Sequence, residues 1–183
     1  KFFDDFNPNS LEVSEGSTVL KVIPPNTKSP FIIRSENPNT NITEVSTTIL
    51  KFDTSESMKN SLTISNTNVF LDPISNLSDS TYTLSFSGTL QNGNAPISET
   101  FAYLAFYDVF DRIIQISSIE IGDVGMNEMK SLKLTEEIST SAVGFLLFSE
   151  SDKFYSTILN VKIPPPEIYV KLVSISDVTL KDT

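Results

Sequence analysis

The sequence predicts an all-β fold, an antiparallel β-sandwich of the jelly-roll kind. Three observations predict it. Apolar residues alternate with polar ones at a period of two over most of the chain, as in strands with one face buried. Turn-forming residues punctuate the pattern every eight to twelve residues or so, the rhythm of a sandwich. No stretch carries a convincing helical period; the best, Asp123 to Glu128, is weakened by Gly122 and Gly125.

In chain order, short candidates run over Glu12-Val13, Thr18 to Ile23, Phe31 to Arg34 and Val45 to Phe52. Ser61 to Ser65 alternates hydroxyls with Leu62 and Ile64, and Val69 to Leu71 follows. Thr81 to Ser87 is the clearest strand, with Tyr82, Leu84 and Phe86 on one face and four hydroxyls on the other. Phe101 to Tyr107 and Ala142 to Phe148 are apolar on both faces, short and aromatic, which favours buried central strands over helices. Arg112 to Ile116, Lys130 to Thr135, Leu159 to Ile163, Ile168 to Val173 and Ile175 to Leu180 complete the set. Pro24-Pro25-Asn26, Asn37-Pro38-Asn39, Asp72-Pro73, Gln91 to Asn94 and Pro164 to Pro166 supply turns. No repeat or linker-like shift divides the chain, so residues 1–183 read as one domain.

Composition narrows function by exclusion. The 183 residues carry 13 Lys+Arg against 23 Asp+Glu, a formal charge of -10, which disfavours nucleic acid because phosphate binding needs clustered positive charge. Cys, His and Trp are absent. Thiol nucleophiles, imidazole acid–base catalysis and Cys/His zinc sites go with them, as do disulfides. No apolar run is long enough to span a membrane as a helix. The chain has no initiator Met and reads as a piece of something longer.

What remains is carboxylates, amides, hydroxyls and rings. A carboxylate hydrolase would need two acids facing each other across a cleft, and Asp108, Asp111, Glu136 and Glu137 are the available ones. Nothing in their spacing pairs them, and solvated turn residues account for them as well, so a noncatalytic protein is expected. No cofactor is expected beyond a calcium ion held by dispersed oxygens, for which Asp4, Asp5 and Asp177 near the two termini are the candidates; a hydrated chain end is the plainer account. Sugars lay C–H faces on aromatic rings and give their hydroxyls to amides, carboxylates and Arg. Tyr103 and Tyr107, four apart on one strand, share a face about 13 Å apart. With Asp108 and Arg112 beside them and Asn92 and Asn94 in the neighbouring loop, they form the candidate ligand site. Phe101 shares their face, so a core role is the alternative.

Several segments, in order, resemble the jelly-roll carbohydrate-binding modules with a galactose-binding-like fold. Lys59 to Asn66 is similar to their "small-Ser-Leu-x-Ile-Ser" strand, and Thr81 to Phe86 to their "Tyr-Thr-Leu-Ser-Phe" strand. Phe101–Tyr107 and Val143–Phe148 resemble their aromatic and late apolar strands, and Ile175 to Leu180 their closing "Ile-x-Asp/Asn-Val-x-Leu" strand. The likeness covers residues 58–180; residues 1–57 would add strands. It departs from the family in lacking Trp, which such modules commonly place in the binding face. The resemblance implies a noncatalytic module that binds a cell-surface polysaccharide. The alternative is a structural relative without a glycan, held by neighbouring domains or subunits. Modules of this kind sit in phage tail and adhesion devices, on virions and in cell-surface proteins, so an extracellular or virion-surface place follows.

Overall fold

The computed structural model describes residues 1–6, 8–54, 58–72 and 80–165. Among these the chain forms strands, turns and extended segments, without a helix. The strands are β1 (Phe2–Phe3), β2 (Glu44–Val45), β3 (Lys59–Leu71), β4 (Thr81–Gln91), β5 (Ile97–Tyr107), β6 (Ile113–Val124), β7 (Met129–Ser139), β8 (Gly144–Glu150), β9 (Phe154–Ser156) and β10 (Leu159–Lys162).

Strands β3 to β9 make one hydrogen-bonded path, β6-β5-β8-β9-β3-β4-β7, with β10 added on β8. The long strand β3 serves both halves. Its first residues pair with β9, Lys59 opposite Phe154, and the stretch from Thr63 to Leu71 pairs with β4. The register slips between Ser65 and Asn68, where Asn66 takes a positive φ, so β3 bends at a bulge as it passes from one half to the other. The ends of the path, β6 and β7, lie side by side without a ladder. Gln115 bridges them, donating from Nε2 to Glu136 Oε1 at 3.0 Å and to the Glu137 carbonyl at 3.2 Å.

The all-β expectation holds, and the sheet is mixed and nearly closed. The expected antiparallel jelly roll differs from it in two respects: β3 and β9 run parallel, and strands β3 to β9 form a single path where a sandwich has two separate sheets. The physical reason lies at Ser151 to Phe154, a tight turn in which Ser151 N–H donates to the Phe154 carbonyl and sends the chain back beside the start of β3.

Alternation sets the interior. Tyr82, Leu84, Phe86 and Leu90 of β4 face Leu104 and Phe106 of β5 and Phe145 and Leu147 of β8, all buried. Phe145 sits between Phe106, 5.4 Å away, and Phe86, 5.8 Å away and edge-on. The hydroxyl face of β4 remains outside, as its pattern predicts.

The chain before β3 is built differently. Of its candidate strands, Val45 to Phe52 joins a ladder only at Val45, where Glu44–Val45 pairs with Phe2–Phe3, and Glu12-Val13 only through the Phe2–Glu12 bridge. Thr18 to Ile23, which bends over Val19 to Val22, and Phe31 to Arg34 join no ladder. Residues 18–31 form a strap across the outside of β5 and β8, burying Leu20 against Ala105 and Phe148. The candidates at Ile168 to Val173 and Ile175 to Leu180 lie outside the described residues.

Candidate functional site

Tyr103 and Tyr107 do share the outer face of β5, opposite the interior residues Leu104 and Phe106. That face is largely covered. Tyr103 is half-buried, stacked on Phe101 with ring centroids 6.2 Å apart and tilted against Phe148 at 5.5 Å. Burial, and secondarily the nearby Glu150 charge, push its phenol above the usual tyrosine range.

Tyr107 is buried. Its ring lies over its cross-strand partner Gly144, where any Cβ would collide with it, and its hydroxyl donates to Asn160 Oδ1 at 2.6 Å. Lys162 Nζ covers the ring at 5.0 Å. The ring thus fills the gap left by a glycine in a central strand, a packing role that leaves its faces occupied.

Asp108 closes the β5–β6 hairpin. Its Oδ1 accepts the N–H groups of Phe110 and Arg112, and its Oδ2 accepts Arg112 Nε at 2.8 Å. These bonds, the Arg112 guanidinium first, hold its carboxyl below the usual range. Arg112 then lies over the exposed Phe110 ring at 5.0 Å. Asp111 sits in the same turn with positive φ, and no second carboxylate faces Asp108 among its bonded partners.

Asn92 is buried and joins two loops at the other end of the sheet. Its Nδ2 donates to the carbonyls of Ala95, Val124 and Gly125, and its Oδ1 accepts Gly93 N–H. Asn94, two residues on, is exposed. Asn92 and Asn94 follow β4, whereas Asp108 and Arg112 follow the far end of β5. The hairpin registers therefore place the two amides at the opposite end of β5 from Asp108 and Arg112, so the candidate residues do not converge.

Asp5 Oδ1 accepts Thr43 Oγ1–H, and Asp4 Oδ1 accepts Phe6 N–H. Asp177 lies outside the described residues. Among the described residues no group of three or more His, Cys, Asp or Glu side chains is placed to hold a metal ion. No helix among them is long and apolar enough to cross a membrane.

A larger concave feature lies elsewhere among the described residues. A cleft of about 810 Å³ opens between the strap and the outer face of the sheet. That volume falls within the range of ligand-binding clefts. Ile113 of β6 and Leu146 and Phe148 of β8 form its floor, with Leu20 from the strap. Pro24, Pro30 and Phe31 make one wall, and Tyr155 and Ile158 the other. Its polar lining comes from Asn26, Thr27, Lys28 and Ser29 of the strap and from Asn60, Ser156 and Thr157, with Asn60 Nδ2 donating to Thr157 Oγ1.

The strap is fixed by one buried acid that sequence reasoning missed. Glu150 ends β8 at 3% exposure, and its two oxygens accept the backbone N–H groups of Lys21 and Val22, each at 3.0 Å. Bidentate capture of adjacent amides satisfies a charge that burial would otherwise penalise. Two further bonds pin the strap to itself, from Val19 N–H to the Pro30 carbonyl and from Leu20 N–H to Ser29 Oγ. A signal existed: a carboxylate closing an apolar strand has to find donors, but the sequence does not say which.

No family model and no curated protein matches the chain. Among solved structures, it is similar to the X-ray structure of Northeast Structural Genomics Consortium target SoR45. The likeness covers 59% of this chain and 91% of that one, at 14% identity and a TM-score of 0.39. A likeness that distant carries no argument about fold or function.

Proposed function

We propose that the chain is a noncatalytic β domain that works by docking to a neighbouring subunit of a larger assembly. The observation that carries this reading is the cleft under the strap, whose floor and walls are mostly aliphatic. Aliphatic surfaces recognise apolar side chains, whereas sugars need ring faces and convergent hydrogen-bonding groups. Of the six candidate sugar ligands, Tyr107, Asp108 and Asn92 already spend their polar atoms inside the fold. In this reading the mixed, nearly closed sheet is the scaffold, of use in a phage tail, virion or cell-surface assembly.

The second reading is the glycan-binding module. Tyr155 and Phe31 offer rings at the cleft mouth, with Asn60 and Thr157 beside them. Sedimentation velocity over a wide concentration range tests the first reading, with calorimetric titration of cell-surface polysaccharides alongside. Concentration-dependent assembly without glycan heat supports docking. A chain that stays monomeric throughout overturns docking. Glycan heat abolished by Tyr155→Ala establishes the second reading in its place.

A further inference from the structure

The chain itself carries an uncovered apolar segment. Residues 47–54 follow β2 in an extended path, and every one of them is exposed. Among the described residues, none of their backbone groups makes a hydrogen bond; the stretch carries only a Lys51–Asp53 ion pair. Yet its sequence, Thr-Thr-Ile-Leu-Lys-Phe-Asp-Thr, is that of a strand. Ile49, Leu50 and Phe52 are 80%, 74% and 84% exposed. Three large apolar side chains on an unpaired, strand-competent segment are what proteins normally cover or pair.

We propose that residues 47–54 of one copy lie in the strap cleft of a second copy. This rests on the docking reading and names its partner. Ile49, Leu50 and Phe52 match the cleft in chemistry, since its floor is Ile113, Leu146 and Phe148. The rim contributes Lys28 and no carboxylate, while Lys51 and Asp53 of the incoming segment pair with each other, so the match rests on apolar contact. Donor and acceptor are different surfaces, so the contact is heterologous and propagates into rings or filaments rather than closing a two-fold dimer. One short segment in a groove sits at the low end of specific interface areas, so assembly is weak and concentration-dependent. The formal charge of -10 opposes it, and added salt strengthens it by screening.

Complementation tests the proposal. A donor-blocked chain carries Ile49→Asp and Phe52→Asp; an acceptor-blocked chain carries Ile158→Glu at the cleft wall. Each alone is expected to self-associate roughly tenfold or more weakly than the unmodified chain. An equimolar mixture is expected to form dimers and stop there, because one intact segment and one intact cleft remain. A synthetic peptide of residues 44–54, titrated against the donor-blocked chain, gives a measurement independent of the acceptor variant's folding. If the unmodified chain assembles but mixing yields no dimers and the peptide does not bind, this inference falls while the docking reading stands. If the unmodified chain never assembles, this inference falls together with the docking reading, whether or not the peptide binds.

Discussion

The sheet from β3 to β10 and the chain before it contain similar local sequence but are held by different bonds. In the sheet, continuous ladders carry side chains into an interior centred on Phe86, Phe106 and Phe145. Residues 1–54 make one two-residue ladder, and carboxylates do much of the rest. Glu12 accepts from Ser14, Ser35 and the amides of Glu36 and Asn37, and Glu150 holds the strap. The difference teaches that alternation makes a strand only where a partner strand arrives. Without one, a charged acceptor can order the chain, and that order depends on charge in a way the sheet's does not.

The largest effect should come from the sheet. Phe145→Ala, removing a ring at full burial, is expected to cost about 3–5 kcal/mol in denaturant unfolding. A cost under 1 kcal/mol would mean that the interior is not centred there. Next come the two amides on one loop. Asn92→Ala leaves the buried Val124 carbonyl and the partly buried carbonyls of Ala95 and Gly125 without their donor and should cost about 2 kcal/mol or more, while Asn94→Ala stays within about 0.5 kcal/mol. Equal costs would refute the linking role given to Asn92.

Glu150→Gln should separate the two regions. It is expected to speed amide exchange at Lys21 and Val22 while leaving the protected amides of β4 and β5 unchanged. Loss of protection across both would mean that strap and sheet unfold as one unit.

The smallest effect is confined to Glu12. Its hydrogen bonds, Ser14 first and then Ser35, lower its carboxyl from 4.5 to about 2. A depressed folded-state value means that this anchor is fully present above pH 4.5 and is lost as pH falls towards 2. The amide shifts of Glu36 and Asn37 should therefore titrate near the lower figure; a midpoint near 4.5 would sink the assignment.

Much of the sheet was legible because its strands alternate strictly. Lys59–Leu71, Thr81–Gln91 and Met129–Ser139 contain the segments that period two marks out. The stretch Phe154–Ser156 was not legible, being three residues that pair across a tight turn with β8 and, on the other side, with the start of β3, far away in sequence. The shared face of Tyr103 and Tyr107 followed from spacing. That Phe148, Gly144 and Lys162 surround them did not, because those neighbours arrive from another strand. The cleft was invisible for the same reason: Leu20, Ile113 and Leu146 belong to three separate parts of the chain.

By itself the sequence determined the kind of secondary structure, the side of each sheet strand that turns inward, and the chemistries the protein lacks. Those follow from side-chain period and composition, which are local. Tertiary structure alone decided which alternating segments became strands, which rings were consumed by packing, and where a concave surface remained. Each of those depends on a partner far along the chain, and only the folded arrangement brings it within reach.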